Sequence, residues 1–270
     1  MLKKLLKHEL NDTLRLFLPI CALILVLTPV FAFLMRLGID DYSHINSHGW
    51  NISYAFQGGL MGYYLLIMGL FLGCQIMLAL RFYRTTSTNE AYLTFTLPTT
   101  PGRILFSKWL IAMLYYIIAG VLALGSILFS IVVATPATFH DMVELIQELM
   151  MEMDISGFSL LVLITLTFIA SGAATILQFY AAIMLGQLFR SHRIIISIGF
   201  YIAMTVGIRI IGTMVMLPIV FSVFSISSGI VDSPYFLHYL LLMVVLAFSF
   251  VAGGFYLMTY LIMQKKLNVQ

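Results

Sequence analysis

The chain has 270 residues, of which 61% are hydrophobic and only 9% are charged. An ordinary soluble domain carries about 25% charged residues, and a soluble fold of this size leaves roughly a quarter of its unfolded surface wet. The composition therefore excludes a soluble enzyme, and it excludes a disordered chain as well. The net charge of +3 is too small to favour a nucleic-acid-binding protein.

The first fifteen residues predict an amphipathic helix for the membrane interface. Five leucines recur at helical spacing and three lysines lie mostly off that stripe: Leu2, Leu5, Leu6, Leu10 and Leu14 against Lys3, Lys4 and Lys7. A helix of this kind rests with its apolar face in the headgroup region. The alternative is a frayed extension of the span that follows.

Six apolar stretches are long enough to cross a bilayer, which takes about 20 residues per helix. They run over about 16–35, 58–80, 104–133, 158–188, 194–217 and 235–263. The third, fourth and sixth are longer than the bilayer requires, so we expect them to tilt or to project from it. Small residues at helix-packing spacing, such as Ala182 and Gly186, favour close packing of the helices. The predicted fold class is all-α: a single polytopic transmembrane domain over 1–270 with six membrane helices.

The basic residues give the predicted orientation. Twelve of the fourteen fall on one side of the predicted spans: Lys3, Lys4, Lys7, Arg15, Arg81, Arg84, Arg103, Lys108, Arg190, Arg193, Lys265 and Lys266. The positive-inside rule makes that side cytoplasmic and places both termini there. The exceptions are Arg36 and Arg209, while eight acidic residues fall on the outer side.

The connection over 81–103 is a long polar loop on the predicted cytoplasmic side. Thr88 or Asn89 could cap a short helix that ends at Leu97, before Pro98 and Pro101 break the backbone. Such a helix would expose an apolar ridge rimmed by polar groups, which usually marks a partner site. The alternative is an interfacial helix that rests on lipid.

Two further segments are predicted on the outer side. Residues 139–154 alternate acidic and apolar positions at helical spacing, which predicts an acidic amphipathic helix on the outer surface. Its acidic face either is solvated or docks a cationic ligand. Residues 218–234 are apolar but too short to cross, so we interpret them as a re-entrant outer segment. A hydrophobic loop packed on the bundle is the alternative.

Familiar catalytic motifs are missing from the sequence. There is no P-loop, no H-E-x-x-H zinc motif and no carboxylate within the six predicted spans, so we assign no catalytic, cofactor-binding or metal-binding residue. Polar groups within the spans include Gln75, Gln178 and Arg209. Arg209 is costly in a membrane unless it is paired or wetted, and it either lines a cavity or extends to the headgroups.

A family resemblance is carried by the stretch that follows the second span. Residues 89–98 read NEAYLTFTLP, and Arg103-Ile104-Leu105 and Ser107-Lys108 follow. With the six spans and the N-terminal helix, this stretch resembles the membrane subunits of bacterial ABC exporters of the ABC-2 permease family. The acidic helix at 139–154 is larger than the short connection that the family would lead us to expect.

The resemblance implies a function as a permease that exports a hydrophobic or amphipathic substrate (a peptide, an antibiotic or a lipid-like molecule). In that family the loop after the second span holds a coupling helix that docks on a cytoplasmic ABC ATPase, which binds ATP and Mg²⁺; this chain would need no cofactor of its own. The contact residues carried over are Glu90, Tyr92, Leu93, Leu97 and Pro98. Candidates for the translocation path are Gln75, Gln178 and Arg209.

The resemblance also implies a location and an assembly. We expect a multi-pass protein of the bacterial cell membrane that pairs with a second permease, either a copy of itself or a related chain, because the sequence contains no internal repeat. Two other classes stay open. One is a membrane-embedded enzyme, and the other is a membrane assembly subunit that transports nothing.

Overall fold

The computed structural model describes residues 2–43, 52–87, 101–134, 144, 155–189, 192–225 and 236–267. These residues form six long helices: α1 Leu2–Ser43, α2 Ile52–Ser87, α3 Pro101–Ala134, α4 Ile155–Gly186, α5 Arg193–Ser225 and α6 Phe236–Leu267. Each helix contains a stretch long and apolar enough to cross a membrane. The prediction of an all-α protein with six membrane helices is confirmed.

The helices keep large apolar side chains on their outer faces. Phe250 of α6, for example, is 84% exposed. A helix that is apolar all round belongs either in the core of a large protein or in lipid. Because these faces are covered by no described part of the chain, the bilayer is the environment that suits them.

The chain divides into two compact units. The first is built from Lys3–Leu78 and Leu114–Glu152, and the second from Ala79–Met113 and Met153–Gln270. The boundaries fall inside α2 and α3, so each of these helices contributes to both units. A single transmembrane domain over 1–270 stays a prediction.

In the first unit, α1 packs closely on α2 and α3. A Cβ atom at Gly59 of α2 would lie 3.2 Å from the backbone nitrogen of Met35, so the two helices approach at backbone distance. The Tyr115 hydroxyl of α3 donates a hydrogen bond of 2.7 Å to the Leu10 carbonyl, and its ring meets Phe17 edge-on at 5.1 Å. The N-terminal turns of α1 are therefore held against α3.

In the second unit, α4 is the helix against which α5 and α6 pack. Phe179 of α4 stacks on Tyr201 of α5 with ring centroids 4.1 Å apart. Near the other end of α4, Ser159 Oγ and His238 Nε2 of α6 are 2.6 Å apart. Neither pair follows from hydropathy alone.

Gly186 marks the tight connection between α4 and α5. A Cβ atom there would lie 2.8 Å from the Arg193 carbonyl oxygen and 2.9 Å from Ser197 Cβ. His192, just before α5, adopts a left-handed conformation with φ of 52°, which lets the chain reverse. The predicted packing role of Gly186 therefore corresponds to a close approach to α5.

The predicted loop over 81–103 differs from the structure at both ends, because α2 continues to Ser87 and α3 already begins at Pro101. The last turn of α2 is supported by the Thr85 hydroxyl, which donates to the Arg81 carbonyl at 3.0 Å. Proline suits the first helical position because its missing N–H would have no partner there. The segment between the helices shortens to 88–100.

The segment predicted as re-entrant over 218–234 also begins differently. The fifth helix does not end at 217 but continues through Pro218 to Ser225. Proline is tolerated inside membrane helices, where neighbouring groups satisfy the freed carbonyl. The rest of the predicted segment, 226–234, lies outside the described residues, and its re-entrant character stays a prediction.

Two other predicted segments are described in part. α1 runs without a break from Leu2, so no helix boundary appears at residue 15, and the interfacial placement of 1–15 stays a prediction. Of the predicted outer helix over 139–154, only Glu144 is described; it is helical and exposed. The other residues of that segment lie outside the described part of the chain.

Candidate functional site

The best-defined polar site in the second unit surrounds the two helix ends that flank residues 88–100. The five residues of the predicted ATPase contact, Glu90, Tyr92, Leu93, Leu97 and Pro98, all lie outside the described residues. The structure describes the two helix ends that flank that segment, namely the last turns of α2 and the first turns of α3.

The C-terminal end of α2 is held by an aromatic stack. Phe82 is 2% exposed, and its ring lies flat on Tyr180 of α4, with centroids 3.8 Å apart and planes 12° from parallel. One turn later, the buried Thr86 donates a hydrogen bond of 2.6 Å to the Phe82 carbonyl. The last turn of α2, which ends at Ser87, is therefore packed on α4.

The α3 side is held by tyrosines from α6. The Tyr256 hydroxyl donates a hydrogen bond of 3.4 Å to the Gly102 carbonyl. A Cβ atom at Gly102 would come within 3.2 Å of the Tyr260 ring, so the absence of a side chain lets the α6 aromatic ring approach. The first turn of α3 is thus in direct contact with the last helix.

Lys108 links this turn to α4. It is 7% exposed, although it lies near the start of a membrane span. Tyr180, whose ring stacks on Phe82, directs its hydroxyl to the Lys108 carbonyl at 3.5 Å. Tyr180 therefore contacts both helix ends. The sequence analysis counted Lys108 only as a charge that indicates orientation, and nothing in its spacing revealed the burial.

We call this group of contacting residues the loop anchor. It consists of Phe82, Thr86, Gly102, Lys108, Tyr180, Tyr256 and Tyr260. The same helix ends carry Arg84 and Arg103, which are both exposed, and no carboxylate occurs within 81–87 or 101–113. Two exposed arginines therefore lie at the rim of the anchor.

The residues proposed for the translocation path occupy different environments. Gln178 is buried in α4, and its Nε2 donates a hydrogen bond of 2.7 Å to Thr205 Oγ1 of α5. Arg209 lies one turn beyond Thr205 and is exposed. Gln75 belongs to the first unit, where it is half-buried in α2. The structure thus places Gln178 and Arg209 on two helices that pack together.

A polar ridge runs along α5 and was missed at the level of the sequence. It consists of residues spaced by four: Ser197, Tyr201, Thr205, Arg209 and Thr213. The first three contact α4, through Gly186, Phe179 and Gln178 respectively. The last two are exposed. The spacing itself was the available signal, because residues four apart form a row that winds slowly around the helix.

The bond between Gln178 and Thr205 should contribute measurably but modestly to stability. We expect Gln178→Leu and Thr205→Val each to lower the thermal midpoint in detergent, and the double variant to lose less than the sum. Polar pairs between membrane helices average about 0.6 kcal/mol, with a maximum near 1.7. A double-mutant cycle measures this coupling; strictly additive losses would contradict the bond.

Within the described residues there is no group of three or more His, Cys, Asp or Glu side chains that could hold a metal ion. No family model, no curated protein and no solved structure matches the chain. The fold and the site define a multi-pass membrane protein with six helices. Its second unit contains a buried aromatic and polar anchor around the ends of α2 and α3.

Proposed function

We propose that the chain is the membrane subunit of an ATP-driven exporter of the ABC-2 permease type. It would sit in the bacterial plasma membrane with both termini in the cytoplasm. It would work with a separate cytoplasmic ATPase, which holds ATP and Mg²⁺, and with a second permease. The observation that carries the proposal is the loop anchor beneath the segment 88–100, whose sequence carries the family resemblance.

The anchor has the mechanical property that such a role requires. A segment that docks on a motor transmits force into the bundle at residues 87 and 101. Phe82 lies about 8 Å along the helix from Ser87, at about 1.5 Å per residue, and it is clamped by Tyr180. Close-packed side chains transmit displacement because they do not compress. A movement of the segment would therefore pass into α2, α3, α4 and α6 together.

The described spans support an amphipathic rather than a strongly polar cargo. Many of their large apolar side chains are exposed, and the polar groups on α5 and at Gln178 add hydrogen-bonding positions to these spans. Rigid-body rotation of two such bundles against each other would couple the ATPase site to the translocation path. A hydrophobic or amphipathic molecule could contact the apolar faces of these spans with its apolar part and the polar groups with its polar part.

The proposal is tested by Leu93→Asp in the segment 88–100. A carboxylate placed on the apolar ridge would have to be desolvated on docking, so we expect at least a tenfold loss of the ATPase activity stimulated by the permease. The first measurement is affinity purification of the tagged chain in mild detergent, with identification of a co-purifying P-loop ATPase. The second is ATP turnover of the purified complex.

The matched control is Leu93→Met, which keeps an apolar side chain of similar volume and should retain most of the stimulation. Both variants should elute as the wild-type chain does when purified alone. Normal assembly and turnover of the Leu93→Asp complex would overturn the assignment of the coupling segment. Failure to recover any ATPase with the wild-type chain would count against the transport function itself.

A further inference from the structure

Arg209 is a charged side chain within the candidate membrane span of α5, which runs over Arg193–Val215. It lies six positions before Val215, about 9 Å from that end of the span at about 1.5 Å per residue. The hydrocarbon core of a bilayer is about 30 Å thick, and lipid phosphates lie at its edges. A long arginine side chain at this depth can extend towards the headgroups.

The face of α5 that presents Arg209 is exposed between residues 202 and 213. Residues at spacings of four, three and four share this face, and each of them is exposed: Ile202, Val206, Arg209 and Thr213. The Thr213 hydroxyl donates to the Arg209 backbone carbonyl at 2.8 Å. The side chain of Arg209 makes no hydrogen bond or ion pair with any residue that the structure describes.

The six candidate spans contain no aspartate or glutamate. A second copy of the chain would bring the same spans, so those spans could not supply a carboxylate to Arg209 either. A guanidinium in an apolar environment is costly unless an anion or water compensates it. The counter-ion of Arg209 is therefore not a carboxylate from a span of this chain. An amphipathic anion, with an apolar part that suits the membrane, fits this position better.

We propose that the exposed face of α5 around Arg209 binds an anionic lipid. The phosphate would accept hydrogen bonds from the guanidinium, a geometry for which arginine is suited. The acyl chains would lie along the apolar residues of the same face, Ile202 and Val206. This binding site does not depend on transport, and it holds whether or not the chain couples to an ATPase.

The test measures lipid retained by the purified full chain after exchange into micelles that contain equal amounts of phosphatidylglycerol and phosphatidylcholine. Native mass spectrometry counts the bound lipids. One basic residue near anionic lipid is worth about a fivefold preference. We therefore expect the excess of bound phosphatidylglycerol over phosphatidylcholine to be about fivefold lower for Arg209→Gln than for the wild-type chain. Arg209→Lys should keep part of the preference.

The matched control is Lys265→Gln, which removes an exposed cation from the end of α6 and should lower the preference less, because water and salt screen a charge at the end of a span more than one inside it. Three results would overturn the proposal. They are an unchanged preference in Arg209→Gln, an equal loss in Lys265→Gln, and displacement of the lipid by millimolar inorganic phosphate. A change of oligomeric state in Arg209→Gln without a change in lipid binding would also overturn it, since Arg209 would then contact another subunit.

Discussion

Gly186→Ala is expected to destabilise the protein, whereas the chemically identical change Gly199→Ala is expected to be neutral or stabilising. At Gly186 the new Cβ would meet the Arg193 carbonyl and Ser197 at distances that real atoms do not occupy. A backbone carbonyl cannot rotate away as a side chain can, so the turn between α4 and α5 must shift. Overpacking of this kind costs about 1–3 kcal/mol.

The control works because Gly199 lies in the neighbouring helix α5 with nothing within 4 Å of its Cβ position. Alanine there gains up to about 1 kcal/mol of helix propensity. The measurement is the thermal midpoint and the monodispersity of each variant in one detergent. Equal midpoints for the two variants would contradict the close approach of α4 and α5. Part of the loss should be recovered in the double variant Gly186→Ala with Ser197→Gly.

Phe82→Ala is expected to cause a second large loss, this time at the loop anchor. Removal of a buried phenylalanine costs about 3–5 kcal/mol because it loses the transfer free energy of the ring and leaves a cavity. Here the cavity would open against Tyr180. We expect a lower thermal midpoint and earlier proteolytic cleavage within 88–100, because α2 and α3 would no longer be held at the two ends of that segment.

Phe189→Ala serves as the matched control, because this ring is 47% exposed and its nearest described ring, Phe200, is 6.0 Å away. Its loss should be well below that of Phe82→Ala. Tyr180→Phe keeps the stacked ring and removes the hydroxyl that lies 3.5 Å from the Lys108 carbonyl; loss of a hydrogen bond of this kind costs about 1 kcal/mol. If Tyr180→Phe were as damaging as Phe82→Ala, the hydroxyl rather than the stack would hold the anchor.

Length and hydropathy were enough to predict the six spans, since a bilayer sets both the length and the polarity of a helix that crosses it. They could not predict where the helices end. α2 continues past the apolar stretch to Ser87 because Thr85 and Thr86 return their hydroxyls to backbone carbonyls. α5 passes through Pro218 because nothing in a proline requires a membrane helix to stop.

The candidate site was predictable only in part. Gln178 and Arg209 stood out because polar groups are rare in such spans, yet their partners did not. Thr205 is an ordinary residue by composition, and only its position opposite Gln178 gives it a role. Lys108 looked like a topological charge because burial depends on what α4 brings near it. Contacts between helices distant in the chain leave little trace in a single sequence.

The serine and threonine hydroxyl groups of the polar ridge on α5 already donate their protons within the helix. Ser197, Thr205 and Thr213 each give their proton to the carbonyl one turn earlier. What these hydroxyls still offer is therefore lone pairs, and Thr205 already uses one for Gln178. Of the three, Thr213 is the exposed one, and it lies one turn beyond the exposed Arg209. The exposed end of the ridge therefore presents an acceptor beside a strong donor, so a bound molecule would need its own hydroxyl or amide proton at Thr213 and its anionic group at Arg209.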